Sequence, residues 1–64
     1  MHVIEIYTEN GFVGWLKSVS QTSFAVTNNL RYAKKYKDSE LDRAQGDCDH
    51  ITGVTNGKSL CCIH

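Results

Sequence analysis

All three cysteines and two of the three histidines fall in the last seventeen residues, as Cys48-Asp-His50 and Cys61-Cys62-Ile-His64. Between the two clusters lies Asn56-Gly57, the strongest short signal for a tight β-hairpin turn. If residues 51–55 pair with residues 58–62 across that turn, both clusters meet at the open end of one hairpin. Thiolate and imidazole ligands converging at one point suit zinc. The spacing therefore predicts a closing hairpin stapled by a structural metal.

A staple matters because the chain is short. Its 64 residues make one domain at most, 1–64. A domain of that size buries only about 60% of its extended-chain surface, and such domains often rely on a disulfide, a metal or a partner chain. Two phenylalanines, one tryptophan and three tyrosines supply one small core. Three cysteines cannot all pair within one chain, and adjacent Cys61 and Cys62 are too close for ordinary disulfide geometry. The N-terminus, Met-His-Val-Ile-Glu, has no basic segment followed by an apolar run, and no stretch approaches the roughly 20 apolar residues of a membrane span. The expectation is a cytoplasmic chain with reduced thiols.

The rest of the pattern predicts a small α+β domain. Residues 2–8 and 12–19 alternate as two strands joined through a type I′ turn at Asn10-Gly11. With that turn, Ile4, Ile6, Val13 and Trp15 share one face, and Tyr7, Phe12 and Leu16 the other. Residues 23–27 form a third strand with Phe24 and Val26 on one face. Thr27, Asn28 and Asn29 offer caps for a short helix from Leu30 to Tyr36. Ser39-Glu-Leu-Asp42 resembles a second cap, starting a helix that runs to about Gln45 and is ended by Gly46. Residues 51–55 and 58–63 are the closing hairpin.

Zinc takes four ligands in a tetrahedron, and five candidates are present: Cys48, His50, Cys61, Cys62 and His64. Pairing across Asn56-Gly57 sets residue 50 opposite 63 and residue 52 opposite 61. Cys48, His50 and Cys61 then share a face of the ribbon, and a curled chain end adds His64. Cys62 is the substitute for any of the four. A structural site is expected over a catalytic one, because so small a domain has little room for the open coordination position and pocket of a catalytic zinc.

Formal net charge is zero, which argues against a strongly basic nucleic-acid binder and against an acidic nucleic-acid mimic. The charge is nevertheless segregated. Arg31, Lys34, Lys35 and Lys37 are followed by Asp38, Glu40, Asp42, Asp47 and Asp49, relieved only by Arg43. A dipolar surface suits a partner of mixed charge, so Arg31, Lys34, Lys35, Asp38, Glu40 and Asp42 are the candidate contact residues. Arg31 to Lys37 also interleaves cations with aromatics, as stacking and phosphate contacts require; the low net charge sets nucleic-acid binding behind protein binding. The five glycines are scattered singly, and no phosphate loop, His-Glu-x-x-His or Gly-x-Ser-x-Gly occurs. Asp47 and Asp49 beside Cys48 disfavour its thiolate, the wrong setting for a nucleophile. No enzyme and no small-molecule substrate are expected.

Leu16, Ser18, Val19, Thr22, Ser23 and Phe24, followed by Thr27, Asn29, Leu30, Ala33, Lys34 and Tyr36, match a two-part pattern. It is "L-x-S-V-x-x-T-S-F" on a hairpin and "T-x-N-L-x-x-A-K-x-Y/F" at a helix start. In this the chain resembles short phage and prophage proteins of Gram-positive bacteria, over roughly a third of its length. In size and build it is also similar to anti-CRISPR proteins directed at type II-A Cas9. The resemblance implies a non-enzymatic viral protein that acts in the bacterial host cytoplasm by binding a host defence protein, most concretely Cas9. It assigns no contact residues, and the Cys/His tail departs from the pattern. Two further functions fit the residues: a nucleic-acid-binding phage regulator using Arg31 to Lys37, and a structural module that self-associates through the exposed side of the first hairpin.

Overall fold

Apolar residues recur at alternate positions in Ile4 and Ile6, then at helical spacing in Ala44, Cys48 and Ile51, and the chain folds along both periods. The structure is a computed structural model and describes residues 1–64. Three strands come first, β1 (Ile4–Thr8), β2 (Gly11–Val19) and β3 (Phe24–Thr27), then two single 3₁₀ turns, Leu30–Tyr32 and Asp38–Glu40. Helix α1 (Leu41–Val54) and strand β4 (Leu60–Ile63) complete the α+β domain. The strands form one antiparallel sheet in the order β3-β2-β1-β4.

One face of that sheet carries Ile4, Ile6 and Leu16, and α1 covers it. Ile4, Ile6, Leu16, Tyr36, Ala44, Cys48 and Ile51 make the core, with Val19, Phe24, Cys61 and Ile63 packed around it. Each fully buried Ile or Leu contributes about 1.5–3 kcal/mol, so this cluster supplies most of what so small a chain can gather. The Tyr36 hydroxyl donates to Asp47 on α1, pinning the segment before the helix to the helix itself.

The strand register differs from the expectation in one consequential place. The turn is Glu9-Asn10 rather than Asn10-Gly11, since Thr8 pairs with Gly11 and Tyr7 with Phe12. Gly11 follows the turn with φ +106°, a position that suits glycine. The pairing then shifts, so that Ile6 faces Gly14 and Glu5 faces Trp15. An extra residue, Val13, has entered β2, and a bulge reverses which side chains point to which face. Leu16 therefore joins Ile4 and Ile6 in the core, and Trp15 joins Tyr7 and Phe12 outside. The close approach of chain at this bend leaves no room for a side chain: a Cβ on Gly14 would sit 2.7 Å from the Thr27 carbonyl oxygen.

Neither expected helix has its expected length. Asn29 caps Arg31, its Oδ1 accepting the amide at 3.0 Å, yet the helix stops after one turn, where Ala33 turns extended. Residues 34 and 36 spend their amides on tertiary partners instead, Lys34 on the Leu16 carbonyl at 2.8 Å and Tyr36 on that of His2 at 2.8 Å. Extended backbone is what carries Tyr36 into the core. By contrast, α1 runs straight through Gly46 and Gly53 to Val54. Glycine costs a helix about 1 kcal/mol, and burial of Cys48 and Ile51 beyond Gly46 outweighs that.

The closing hairpin does not form, because residues 51–54 are the last turn of α1 and Leu60–Ile63 pairs with β1. Asn56 (φ +57°) and Gly57 (φ +79°) do adopt left-handed backbone. They use it to end a helix. The Gly57 amide bonds the Thr52 carbonyl at 2.8 Å and the Asn56 amide that of Gly53 at 3.2 Å, which is the Schellman arrangement.

Replacing Gly46 by alanine tests the helix directly. Gly46 is exposed and has open space around it, so Gly46→Ala is expected to stabilise by about 1 kcal/mol, read as a Tm increase of roughly 4–8 °C. A helix ending at Gly46 would show a decrease. Gly14→Ala is expected to lower Tm, since its clash is with backbone.

Candidate functional site

Folding sorts the five expected metal ligands into three places. Cys48 lies on the inward stripe of α1 and is buried, and half-buried Cys61 packs against the same core from β4. The two thiols are neighbours on that core, and each influences the other's ionisation. His50 sits on α1 but turns to the far end of the sheet, its Nε2 donating to the Ser20 carbonyl at 2.7 Å. Cys62 and His64 project from the opposite face of β4, where Cys62 is cross-strand from Glu5. His64 Nε2 meets Glu5 Oε1 there at 2.8 Å. No three His, Cys, Asp or Glu side chains converge in a way that could hold a metal ion. The expected quartet of Cys48, His50, Cys61 and His64 rested on a hairpin that is a helix instead, and this fold sets Cys48 and Cys61 on the core, His50 at the far end of the sheet and His64 on the open face. His2, at the other end of the chain, has its own partners: Asp38 Oδ1 at 2.6 Å and the His64 carbonyl at 3.1 Å.

Burial fixes the chemistry of the inner thiol. Loss of solvent, then the neighbouring Cys61, then Asp49 and Asp47 push the Cys48 thiol from an ordinary 9.0 up to about 12. Burial likewise raises Cys61, although the neighbouring Cys48 thiol favours its ionised form. Tyr36 is held well above its ordinary range by burial first and by its bond to Asp47 second. At neutral pH these groups are therefore held mostly protonated.

The charged segment is only partly free. Lys34 pairs with Asp47 at 3.7 Å and lies 5.3 Å from the Tyr36 ring centre. Lys35 Nζ donates to the carbonyls of Leu30 (2.7 Å) and Ala33 (2.9 Å), standing in for the helical amides that the chain does not supply. Asp38 binds His2, and Glu40 accepts the Lys37 amide at 2.9 Å and reaches Arg43 at 4.0 Å. Arg31, Tyr32 and Lys37 remain exposed, and Asp42 stands exposed in the first turn of α1. Tyr36, one of the two aromatics in the expected stacking platform, is in the core.

The uncovered face of the sheet is the more complete surface. Tyr7, Phe12 and Trp15 meet there edge to face, with ring centres 5.5 Å and 5.2 Å apart. Such contacts hold aromatic side chains in defined positions. Phe12 is 48% exposed and Leu60, cross-strand from Tyr7, is 67% exposed. Beside the rings, Glu5 Oε1 accepts from the Tyr7 hydroxyl at 2.7 Å and pairs with His64. That bond to Glu5 raises the Tyr7 phenol above its ordinary range. No lysine or arginine occupies a paired register position on this face; exposed Lys17 stands unpaired at a second irregularity of β2, between Leu16 and Ser18. The sequence signalled bulk on both faces of the first hairpin; Trp15 fell on the wrong one because a bulge leaves no mark in residue type. A shallow depression at one end is lined by Thr8, Glu9, Asn10, Gly57, Lys58 and Leu60. No helix is long and apolar enough to cross a membrane.

No protein-family model matches this chain, and neither a curated protein nor a solved structure matches it.

Two measurements check this arrangement. Circular dichroism and thermal melts of the purified protein are expected to be unchanged by a strong zinc chelator; loss of folding would restore the metal staple. The raised thiol and phenol set an alkaline limit. Because Cys48 titrates higher folded than unfolded, its contribution is intact below pH 9 and is lost as pH rises from 9 to about 12. Tyr36 acts in the same direction from pH 10 upward. Tm is expected to hold steady up to pH 9 and to fall above it, less steeply in Cys48→Ala than in the natural chain.

Proposed function

We propose that this protein is a non-enzymatic binding module that docks a partner protein on the open face of its sheet and blocks that partner by occupying its surface. The observation that supports this is the Tyr7–Phe12–Trp15 cluster continued by Leu60 on the one sheet face that α1 does not cover. Aromatic anchors with a polar margin are what energetically dominant protein contacts use. Here Glu5, His64 and the Tyr7 hydroxyl form that margin. The sequence resemblance to phage proteins makes a host defence protein the partner class, and Cas9 of a type II-A system the first member to test. The exposed part of the charged segment, Arg31, Asp42 and Lys37, would then add charge complementarity beside the docked surface.

Aromatics on an open sheet also suit single-stranded nucleic acid. The shortage of cations at the register positions of this face, and the engagement of Lys34 and Lys35 elsewhere, favour a protein partner.

Binding to purified type II-A Cas9 tests the proposal, with Phe12→Ser/Leu60→Ser as the surface variant. Saturable binding is expected, weakened about 30-fold or more in the variant while its circular dichroism is unchanged. Equal binding by the variant would remove this face, and no binding at micromolar concentration would remove Cas9. Two companion assays separate the alternatives. Oligonucleotide binding that falls steeply with salt would favour the nucleic-acid function, and a dimer in size-exclusion chromatography, lost in the variant, would favour self-association.

A further inference from the structure

Of the three thiols, two share a site and the third is kept from it. Cys48 on α1 and Cys61 on β4 are separated in sequence, yet the helix and the strand pack together and both thiols sit on the same core. Cys62 adjoins Cys61 in sequence but is exposed on the other face of the sheet. The binding surface described above uses neither Cys48 nor Cys61.

We propose that Cys48 and Cys61 are a disulfide-forming pair, converted by a peroxide-class oxidant into a reversible intramolecular bond that clips edge strand β4 to α1. Cys61 is the point of attack, because it is the less buried of the two and because the neighbouring Cys48 thiol favours its ionisation. The Cys61 thiolate sulfur takes one oxygen of hydrogen peroxide; the O–O bond breaks, and the departing hydroxide picks up a proton to leave as water. Cys61 is then a sulfenic acid. Cys48 loses its proton and its sulfur attacks the Cys61 sulfur; the S–S bond forms, the S–O bond breaks, and hydroxide leaves as the second water. Two thiols and one peroxide thus give one disulfide and two waters. A dithiol reductant reverses the change by exchange. Burial keeps both thiols mostly protonated, so the reaction is slow at neutral pH and quickens as pH rises.

The consequence is local. β4 is an edge strand hydrogen-bonded to β1 alone. A covalent link through its inner face would hold it to the helix as well, and closing the 48–61 loop restricts the unfolded chain.

Tryptic mapping reads the bond without ambiguity. Cleavage after Arg43 and Lys58 places Cys48 in peptide 44–58 and both Cys61 and Cys62 in peptide 59–64. The folded Cys62→Ser variant is treated with hydrogen peroxide, alkylated under denaturing conditions and digested. Expected is a cross-linked 44–58/59–64 pair from monomeric protein, split by dithiothreitol, with Tm of the oxidised protein higher by roughly 10 °C. The natural chain should give the same pair, with Cys62 still open to alkylation. The proposal is overturned if the two peptides stay separate, with Cys61 over-oxidised or both thiols alkylated. It is equally overturned if the natural chain bridges Cys61 to Cys62 or links Cys48 through Cys62. Should Cys62→Ser fail to fold, fragmentation of peptide 59–64 from the natural chain makes the same decision.

Discussion

The Ala44–Cys48–Ile51 stripe of α1 lies against Ile4, Ile6 and Leu16, and every other feature depends on that contact. A chain of 64 residues has little apolar surface to bury, and what it does bury is gathered in one cluster. The stripe explains why the helix continues through Gly46 and why Leu16 rather than Trp15 points inward. It also explains why the segment before the helix abandons helical backbone. Tyr36 must cross from the sheet edge into the core and reach Asp47, and only an extended path delivers it.

Covering one face of the sheet determines what is left on the other. Strands β1, β2 and β4 carry apolar side chains on both faces, and a single helix can cover only one of them. Tyr7, Phe12, Trp15 and Leu60 are therefore presented to solvent on a rigid, hydrogen-bonded scaffold. The edge-to-face packing of the three rings limits their motion, which lowers the ordering cost when a partner docks. The same separation of faces divides the cysteines, with Cys48 and Cys61 facing the core and Cys62 facing outward.

Much of the sheet was legible in the sequence, since alternation and turn residues mark β1, β2 and β3 to within a residue or two. What failed has a common physical origin. By its local meaning Gly46 stops a helix and Asn56-Gly57 turns a hairpin. Tertiary burial overrode the first. The second kept its left-handed backbone but spent it on ending a helix, a use that residue type alone cannot separate from a hairpin. The hairpin that was to assemble the metal quartet is absent, so its four members lie apart in the fold. Val13 shows the same limit at the scale of one residue: a bulge moved Trp15 from the expected core face to the candidate binding face. The charge segregation is visible in the sequence, but Lys34 and Lys35 have structural partners that only the folded chain supplies.

Nuclear Overhauser contacts in the reduced, chelator-treated protein test the central claim most directly. The account predicts consecutive amide–amide contacts from Leu41 to Val54, and side-chain contacts joining Ala44, Cys48 and Ile51 to the Ile4, Ile6 and Leu16 cluster. Cross-strand contacts between residues 51–55 and 58–62, with Leu60–Ile63 no longer beside β1, would contradict it.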